Sequence, residues 1–224
     1  MLYKLKIDNF PKMNRGMRAT QDIFPGDVLV KLPLDMCIVV DASTKKPQDV
    51  RVTYENWQNM DYFEKIATIM ILEYELGRES KHYVYLRSFQ KNMNLIDTWQ
   101  NVSGKLLRLK NKRIHENMVR LKKFYWCDRD VALYFLDVAR SRGIYSKYSC
   151  AMYPMLDLFN HDVENTKEFD YDLRREGDVL VFRSTRRVPR GEQFFVSYGA
   201  LSPDELIYNY GIQTPSSHID DHLF

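Results

Sequence analysis

The stretch that most constrains this chain is Gly191–Gly211, GEQFFVSYGALSPDELIYNYG. Pro189 and Gly191 signal a turn. Gln193, Phe194, Phe195 and Val196 then form a short run of strand formers, which Tyr198-Gly199 stops. Ser202 is an N-cap, Pro203 sits at the first helical position, and Glu205 closes a capping box. Gly211 ends the helix. The segment predicts a turn, a strand, a sharp break and a capped helix. It sets the Tyr198 hydroxyl at a strand end, with Tyr208 and Tyr210 on the helix that follows. Composition alone describes this as an ordinary strand–helix joint with packed tyrosines.

The rest of the chain divides by punctuation. Residues 1–47 read as β structure: Leu5-Lys6-Ile7 alternates, Pro25-Gly26 turns, Val28–Pro33 is a strand ended by proline, and Cys37–Val40 is another. From 48 to 153 there is no proline, and only Gly77, Gly104 and Gly143 interrupt. Residues 48–138 therefore read as a helical insert. Asp61 with Glu64 caps a helix carrying Phe63, Ile66, Ala67, Met70 and Tyr74 at helical spacing. Tyr83–Phe89 is a short helix. A longer one runs from Lys105 to Tyr125, with Leu107, Ile114, Met118, Leu121 and Tyr125 on one face. Asp128 opens a helix through Ala132, Phe135, Val138 and Ala139. Residues 139–212 return to β structure before the capped helix, and 213–224 form a polar tail.

Composition bounds the function. With 45% apolar and 28% charged residues, 224 residues can bury a core without disulfides or metal. Net charge is only +3, no argument for nucleic acid by itself. The helix at 105–123 concentrates cations, including Lys110, Lys112 and Arg113, and reads as a solvated face or as a surface for an acidic protein segment or RNA. Cys37, Cys127 and Cys150 fit neither zinc spacing nor a disulfide framework, so a reducing compartment, cytoplasmic or nuclear, is expected. The N-terminus lacks an apolar signal core and no window approaches a membrane span, so no membrane partner is expected. His161 has no second histidine or cysteine at ligand spacing, so no metal is expected.

Three groups of residues resemble the SET-domain protein methyltransferases, in the subgroup of the Rubisco large-subunit lysine methyltransferase. Val196-Ser197-Tyr198-Gly199 with Asp204-Glu205-Leu206 and Asn209-Tyr210-Gly211 matches the C-terminal signature, with Ile212 in place of its closing aromatic. Ala139-Arg140-Ser141-Arg142 followed by Pro154, Asp157, Asn160 and His161 matches the second. Asn14-Arg15-Gly16 with Ala19, Asp22-Ile23 and Gly26 matches the first. Asn14 stands where the family has glycine, and asparagine is the usual substitute in a left-handed turn. The resemblance covers about residues 10–212. It implies an α+β SET fold with a C-terminal pseudoknot, interrupted by the helical insert. No counterpart of the subgroup's helical C-terminal substrate domain is expected within this sequence.

What the resemblance implies for chemistry is transfer of a methyl group from S-adenosyl-L-methionine to a lysine of a protein substrate. Tyr198 would be the catalytic tyrosine. Asn14, Arg15, Gly16, Arg142, Asn160 and His161 would bind the cofactor. Arg142, Asp157, Tyr198 and Tyr210 would face the substrate, with Tyr171 a looser match. The alternatives are a catalytically silent SET-like module, an RNA-binding protein, and a histidine methyltransferase. The related actin-histidine enzyme carries tryptophan where this chain has Leu156, which favours lysine.

Overall fold

The computed structural model describes residues 2–11, 13–89, 104–162 and 171–212. Along them the order is β1 (Leu5–Phe10), β2 (Asn14–Ala19), β3 (Val28–Pro33), β4 (Ile38–Asp41), α1 (Tyr54–Gln58), α2 (Tyr62–Glu75), α3 (Tyr83–Arg87) and α4 (Gly104–Leu121). Then come α5 (Arg129–Arg142), β5 (Ile144–Ser146), β6 (Ser149–Met152), β7 (Asn160–His161), β8 (Tyr171–Glu176), β9 (Val179–Ser184), β10 (Gln193–Val196) and α6 (Pro203–Tyr210). The architecture is α+β. The polar tail read at 213–224 lies outside the described residues. The chain forms two compact units, each from two segments: Met1–Cys37 with Tyr153–Leu201, and Ile38–Met152 with Ser202–Phe224.

The first unit is built of sheets. One has the order β1-β2-β10-β7, the other β3-β9-β8. β1 and β2 form a hairpin running from Leu5↔Ala19 to Phe10↔Asn14. Asn14 enters β2 at φ 57°, the left-handed region that asparagine tolerates better than most residues. β10 pairs antiparallel with β2 through Gln193↔Arg18 and Phe194↔Met17. Its other edge pairs parallel with β7, through Phe195↔Asn160 and Val196↔His161. The two motif segments thus lie side by side. Met17, Ile23, Leu29, Phe159, Phe182 and Phe194 are fully or almost fully buried beneath them, the rings of Phe159 and Phe194 meeting edge-on at 5.5 Å. Burying side chains of this size contributes about 1.5–3 kcal/mol each.

The second unit is mainly helical, with a small sheet in the order β4-β6-β5. The capping box of α2 forms as its sequence predicts: the Asp61 carboxylate accepts from the Glu64 N–H at 2.9 Å and Glu64 accepts from the Asp61 N–H at 2.8 Å. The apolar stripe of α2 packs on α5, β4 and β6. Ile66, Met70, Ile71, Phe135 and Val138 make the core with Trp57 and Phe124. Asp128 caps α5, accepting from the N–H groups of Asp130 and Val131.

Helix α4 corrects the sequence reading in a specific way. It is a helix, but the face bearing Leu107, Ile114 and Met118 points to solvent, at 43%, 39% and 53% exposure. Its buried residues are Arg113 and Asn117. Arg113 is fully buried and donates at 2.7 Å to Asp137 on α5 and to the carbonyl of Tyr208 on α6. Burial pulls the Arg113 pKa down, and Asp137 opposes that. The cation row is therefore not one solvated face. Lys105 pairs with Asp204, Arg120 with Asp61 and Glu64, and Lys123 with Glu64. Among the described residues no helix is long and apolar enough to cross a membrane.

Candidate active site

The sheet unit gathers most of the residues singled out by the sequence. Phe159, Asn160 and His161 lie beside β10 because β7 pairs in parallel with Phe195 and Val196. They follow a short 3-10 turn, Leu156–Leu158, that holds Asp157. Met155 enters that turn at φ 72°, a conformation rarely adopted by a residue with a side chain. With Lys4 and Asn14 it makes up the non-glycine residues of positive φ among the described residues.

Tyr198 is held at both ends. Its backbone N–H donates to His161 Nδ1 at 3.1 Å, and its hydroxyl donates to the Phe159 carbonyl at 2.7 Å. The His161 and Tyr198 rings stack, centroids 5.0 Å apart and 27° between planes. His161 is buried. Because its Nδ1 accepts, the neutral ring carries its proton on Nε2. The Tyr198 hydroxyl donates its one proton to Phe159, so toward any other group its oxygen can act only as an acceptor.

Asn14-Arg15-Gly16 lies one strand away. The Asn160 side-chain amide donates to the Arg15 carbonyl at 3.3 Å, which ties β7 to β2 across β10. A Cβ on Gly16 would stand 2.7 Å from Asn160 Nδ2 and 2.7 Å from Gln193 Nε2. The side-chain amides of Asn160 on β7 and Gln193 on β10 converge over this backbone, so a Cβ there would have to displace them. Gln193 stands beside these residues and motif reading does not single it out. The sequence marks it only as the start of a strand, and its role depends on the β10–β2 register.

Arg142 and Tyr210 belong to the helical unit. Arg142 ends α5, its guanidinium 5.7 Å from the Phe89 ring centroid. Gly143 follows, and a Cβ there would meet the Ala139 carbonyl at 2.5 Å, so the exit from α5 accepts only glycine. Tyr210 ends α6, and burial raises its hydroxyl pKa to about 12. The α6 capping box forms as predicted: Ser202 Oγ accepts from the Glu205 N–H at 3.3 Å, and Glu205 accepts from the Ser202 N–H at 2.8 Å. Gly211 closes the helix at φ 70°. Tyr171 lies in β8, and its side chain is outside the described residues. Among the described residues no group of three or more His, Cys, Asp or Glu side chains is placed to hold a metal ion.

A strand-borne tyrosine is thus locked to an Asn-His segment, beside a glycine-bearing hairpin. The SET-domain family model matches residues 14–199, and the chain belongs to that family. A curated relative, the ribosomal lysine N-methyltransferase set10 of Schizosaccharomyces pombe, is 23% identical over 226 aligned positions, covering 90% of this chain and 40% of the relative. The crystal structure of the SET domain of LSMT bound to lysine and AdoHcy superposes with a TM-score of 0.74 at 17% identity, covering 95% of this chain and 53% of that one. Rubisco LSMT bound to sinefungin and monomethyllysine gives 0.70 at 19% identity, covering 95% and 52%. These structures establish the SET fold for this chain, which spans about half the length of the solved chains and less of the curated relative.

Proposed function

We propose that this protein is an S-adenosylmethionine-dependent protein-lysine N-methyltransferase, with Tyr198 as its catalytic tyrosine. The observation that carries the reading is the fixed Tyr198 hydroxyl at the end of β10, its proton directed to the Phe159 carbonyl at 2.7 Å. The lysine methyltransferase named among its relatives and the lysine and AdoHcy named with its structural neighbours support it.

The residues fit the cofactor. Gly16 leaves a side-chain-free surface under two amides. Of these, Gln193 Nε2 is buried and makes no hydrogen bond with the described residues, a donor in search of a polar partner. When bound, the cofactor supplies an electrophilic methyl group on a sulfonium. Asn14, Arg15, Gly16, Asn160 and His161 are proposed to hold it, with Gln193 added here. Arg142, proposed from the resemblance, suits the cofactor carboxylate as a bidentate cation. Asp157 and Tyr210 are proposed for the acceptor side on the same basis.

Lysine must present a lone pair. Its free pKa is about 10.4, so holding it neutral near pH 7 costs about 4–5 kcal/mol. Desolvation and a nearby positive charge both favour loss of that proton. Tyr198 contributes orientation: an amine N–H donated to its oxygen turns the nitrogen lone pair away from the ring, and the phenol stays neutral. His161 fixes the tyrosine backbone and so the direction from which the hydroxyl approaches.

The substrate is proposed to be a protein. The pairing of Arg113, Arg120, Lys105 and Lys123 with carboxylates removes much of the continuous positive surface a nucleic acid would need. The cysteine pattern supports a reducing compartment, cytoplasm or nucleus.

Cofactor binding is testable without knowing the substrate. S-adenosylhomocysteine at about 100 times its dissociation constant adds about 2.7 kcal/mol to stability. The melting temperature should rise, and Asn160→Ala should abolish the rise while the fold survives. No thermal shift and no calorimetric heat with the unmutated protein would overturn the enzymatic reading.

A further inference from the structure

We propose that the outward face of α4 docks an acidic amphipathic helix of another protein. Leu107, Ile114 and Met118 are spaced seven and four residues apart, so they share one side of the helix. All three are exposed. The inward side carries Arg113, tied to Asp137 and the Tyr208 carbonyl, and Asn117, with Leu106 and Leu109 half-buried beside them. An ordinary surface helix turns all of its apolar residues to the core, whereas α4 leaves this second row outside. Here Leu107, Ile114 and Met118 stay exposed among the described residues, and an exposed apolar row commonly marks an interaction surface.

The charge around the row selects the occupant. At 100° per residue Arg108 falls along one border of the Leu107–Ile114–Met118 stripe, and Lys122 stands just past the end of the helix; both are exposed. The α4 acid Glu116 falls on the opposite side of the helix and is taken up by the Tyr208 hydroxyl at 2.5 Å. A partner that buries the stripe must therefore meet cations at its edge. A helix with leucines at i, i+3, i+4 and i+7 and carboxylates flanking them satisfies both demands. The proposal is independent of the methyltransferase reading; with it, the surface delivers an acidic protein to the enzyme.

The test uses the full chain and a fluorescent peptide of about 18 residues, long enough for five helical turns, with that leucine repeat and glutamates elsewhere. A second peptide keeps the glutamates and replaces the leucines by serine. Anionic phosphatidylserine vesicles and a single-stranded RNA are run in parallel. The first peptide should bind, the serine peptide should not, and raised salt should weaken binding. Ile114→Ser/Met118→Ser and Arg108→Glu/Lys122→Glu should each lower affinity about tenfold or more. Both variants change only exposed positions, so their melting temperatures should match the parent. Absence of peptide binding, or unchanged binding by the Ile114→Ser/Met118→Ser variant, overturns the proposal. Vesicle or RNA binding that is stronger than peptide binding and lost in the same variants also overturns it, in favour of a membrane or nucleic-acid surface.

Discussion

The sheet unit and the helical unit bury polar groups in different ways. Among the described residues of the sheet unit, the buried polar side chains are His161, Ser184 and Ser197, with no Asp, Glu, Lys or Arg among them. The bonds that define its site run to backbone, from the Tyr198 hydroxyl to the Phe159 carbonyl and from Asn160 to the Arg15 carbonyl. In the helical unit Glu64, Arg113, Asp137 and Arg140 are buried as charged groups. Glu64 meets Lys123 at 2.7 Å and Arg120 at 3.2 Å. Strand register alone delivers backbone partners, so a site built on them tolerates side-chain change without losing the fold. Helices held by buried ions do not, because removing one partner leaves the other charged in a dry interior.

The largest expected effect follows from that contrast. Asp137→Ala strands Arg113 and should cost about 3–5 kcal/mol in urea unfolding. The double replacement Arg113→Met/Asp137→Leu should recover most of that loss, since an apolar pair of similar volume needs no ionic partner. If the single variant lost less than about 1 kcal/mol, the buried ions would not be what holds α4 to α5.

Gly16→Ala in the sheet unit should behave differently. The atoms its Cβ would meet are the ends of two flexible side chains, so stability should fall by only about 1–2 kcal/mol. Binding of S-adenosylhomocysteine, read by calorimetry, should fall far more, because the amides that yield are the proposed cofactor donors. A variant that melts early yet binds normally would separate this glycine from the site.

A smaller effect appears only in alkali, and again in the helical unit. Burial raises the Tyr145, Tyr208 and Tyr210 hydroxyls above their ordinary value. The folded state then holds these protons more tightly than the unfolded state. The stability they contribute is complete below about pH 10 and is lost as pH rises through the folded values, about 12 for Tyr210. Circular dichroism should report unfolding above pH 10, and Tyr210→Phe should make the decline between pH 10 and 12 shallower. A decline beginning near neutral pH would contradict this account.

Much of the fold is legible because its signals are local. The capping boxes at Asp61–Glu64 and Ser202–Glu205, the Asp128 cap and the glycine at 211 each act within a few residues, and each forms. The periodicity of α5 names its buried face, Ala132, Phe135, Val138 and Ala139, because that helix has apolar neighbours on its inner side. The same method fails on α4. Periodicity identifies two faces but not which one is inside, and the partners that decide it, Asp137 and the Tyr208 carbonyl, are 24 and 95 residues away. The β5–β6 hairpin gives a weak signal because Ser146 to Ser149 is short and polar; its pairing with β4 depends on Ile38–Asp41, far back in the chain. At the site, Tyr198, Asn160 and His161 stand out through motif resemblance. Gln193 and the His161–Tyr198 bond do not, since both arise from strand register.

The central claim is that Tyr198 orients a lysine amine for methylation. The direct measurement is incubation with isotope-labelled S-adenosylmethionine and a lysate of the source cells, followed by tandem mass spectrometry to locate the label. The account predicts label on lysine side chains, at a rate that climbs between about pH 7 and 9 as more amine is neutral. It also predicts a loss of about 100-fold or more in Tyr198→Phe, which should still bind S-adenosylhomocysteine and lose only about 1 kcal/mol from the missing bond to Phe159. Label confined to histidine, or a fully active Tyr198→Phe, would contradict it.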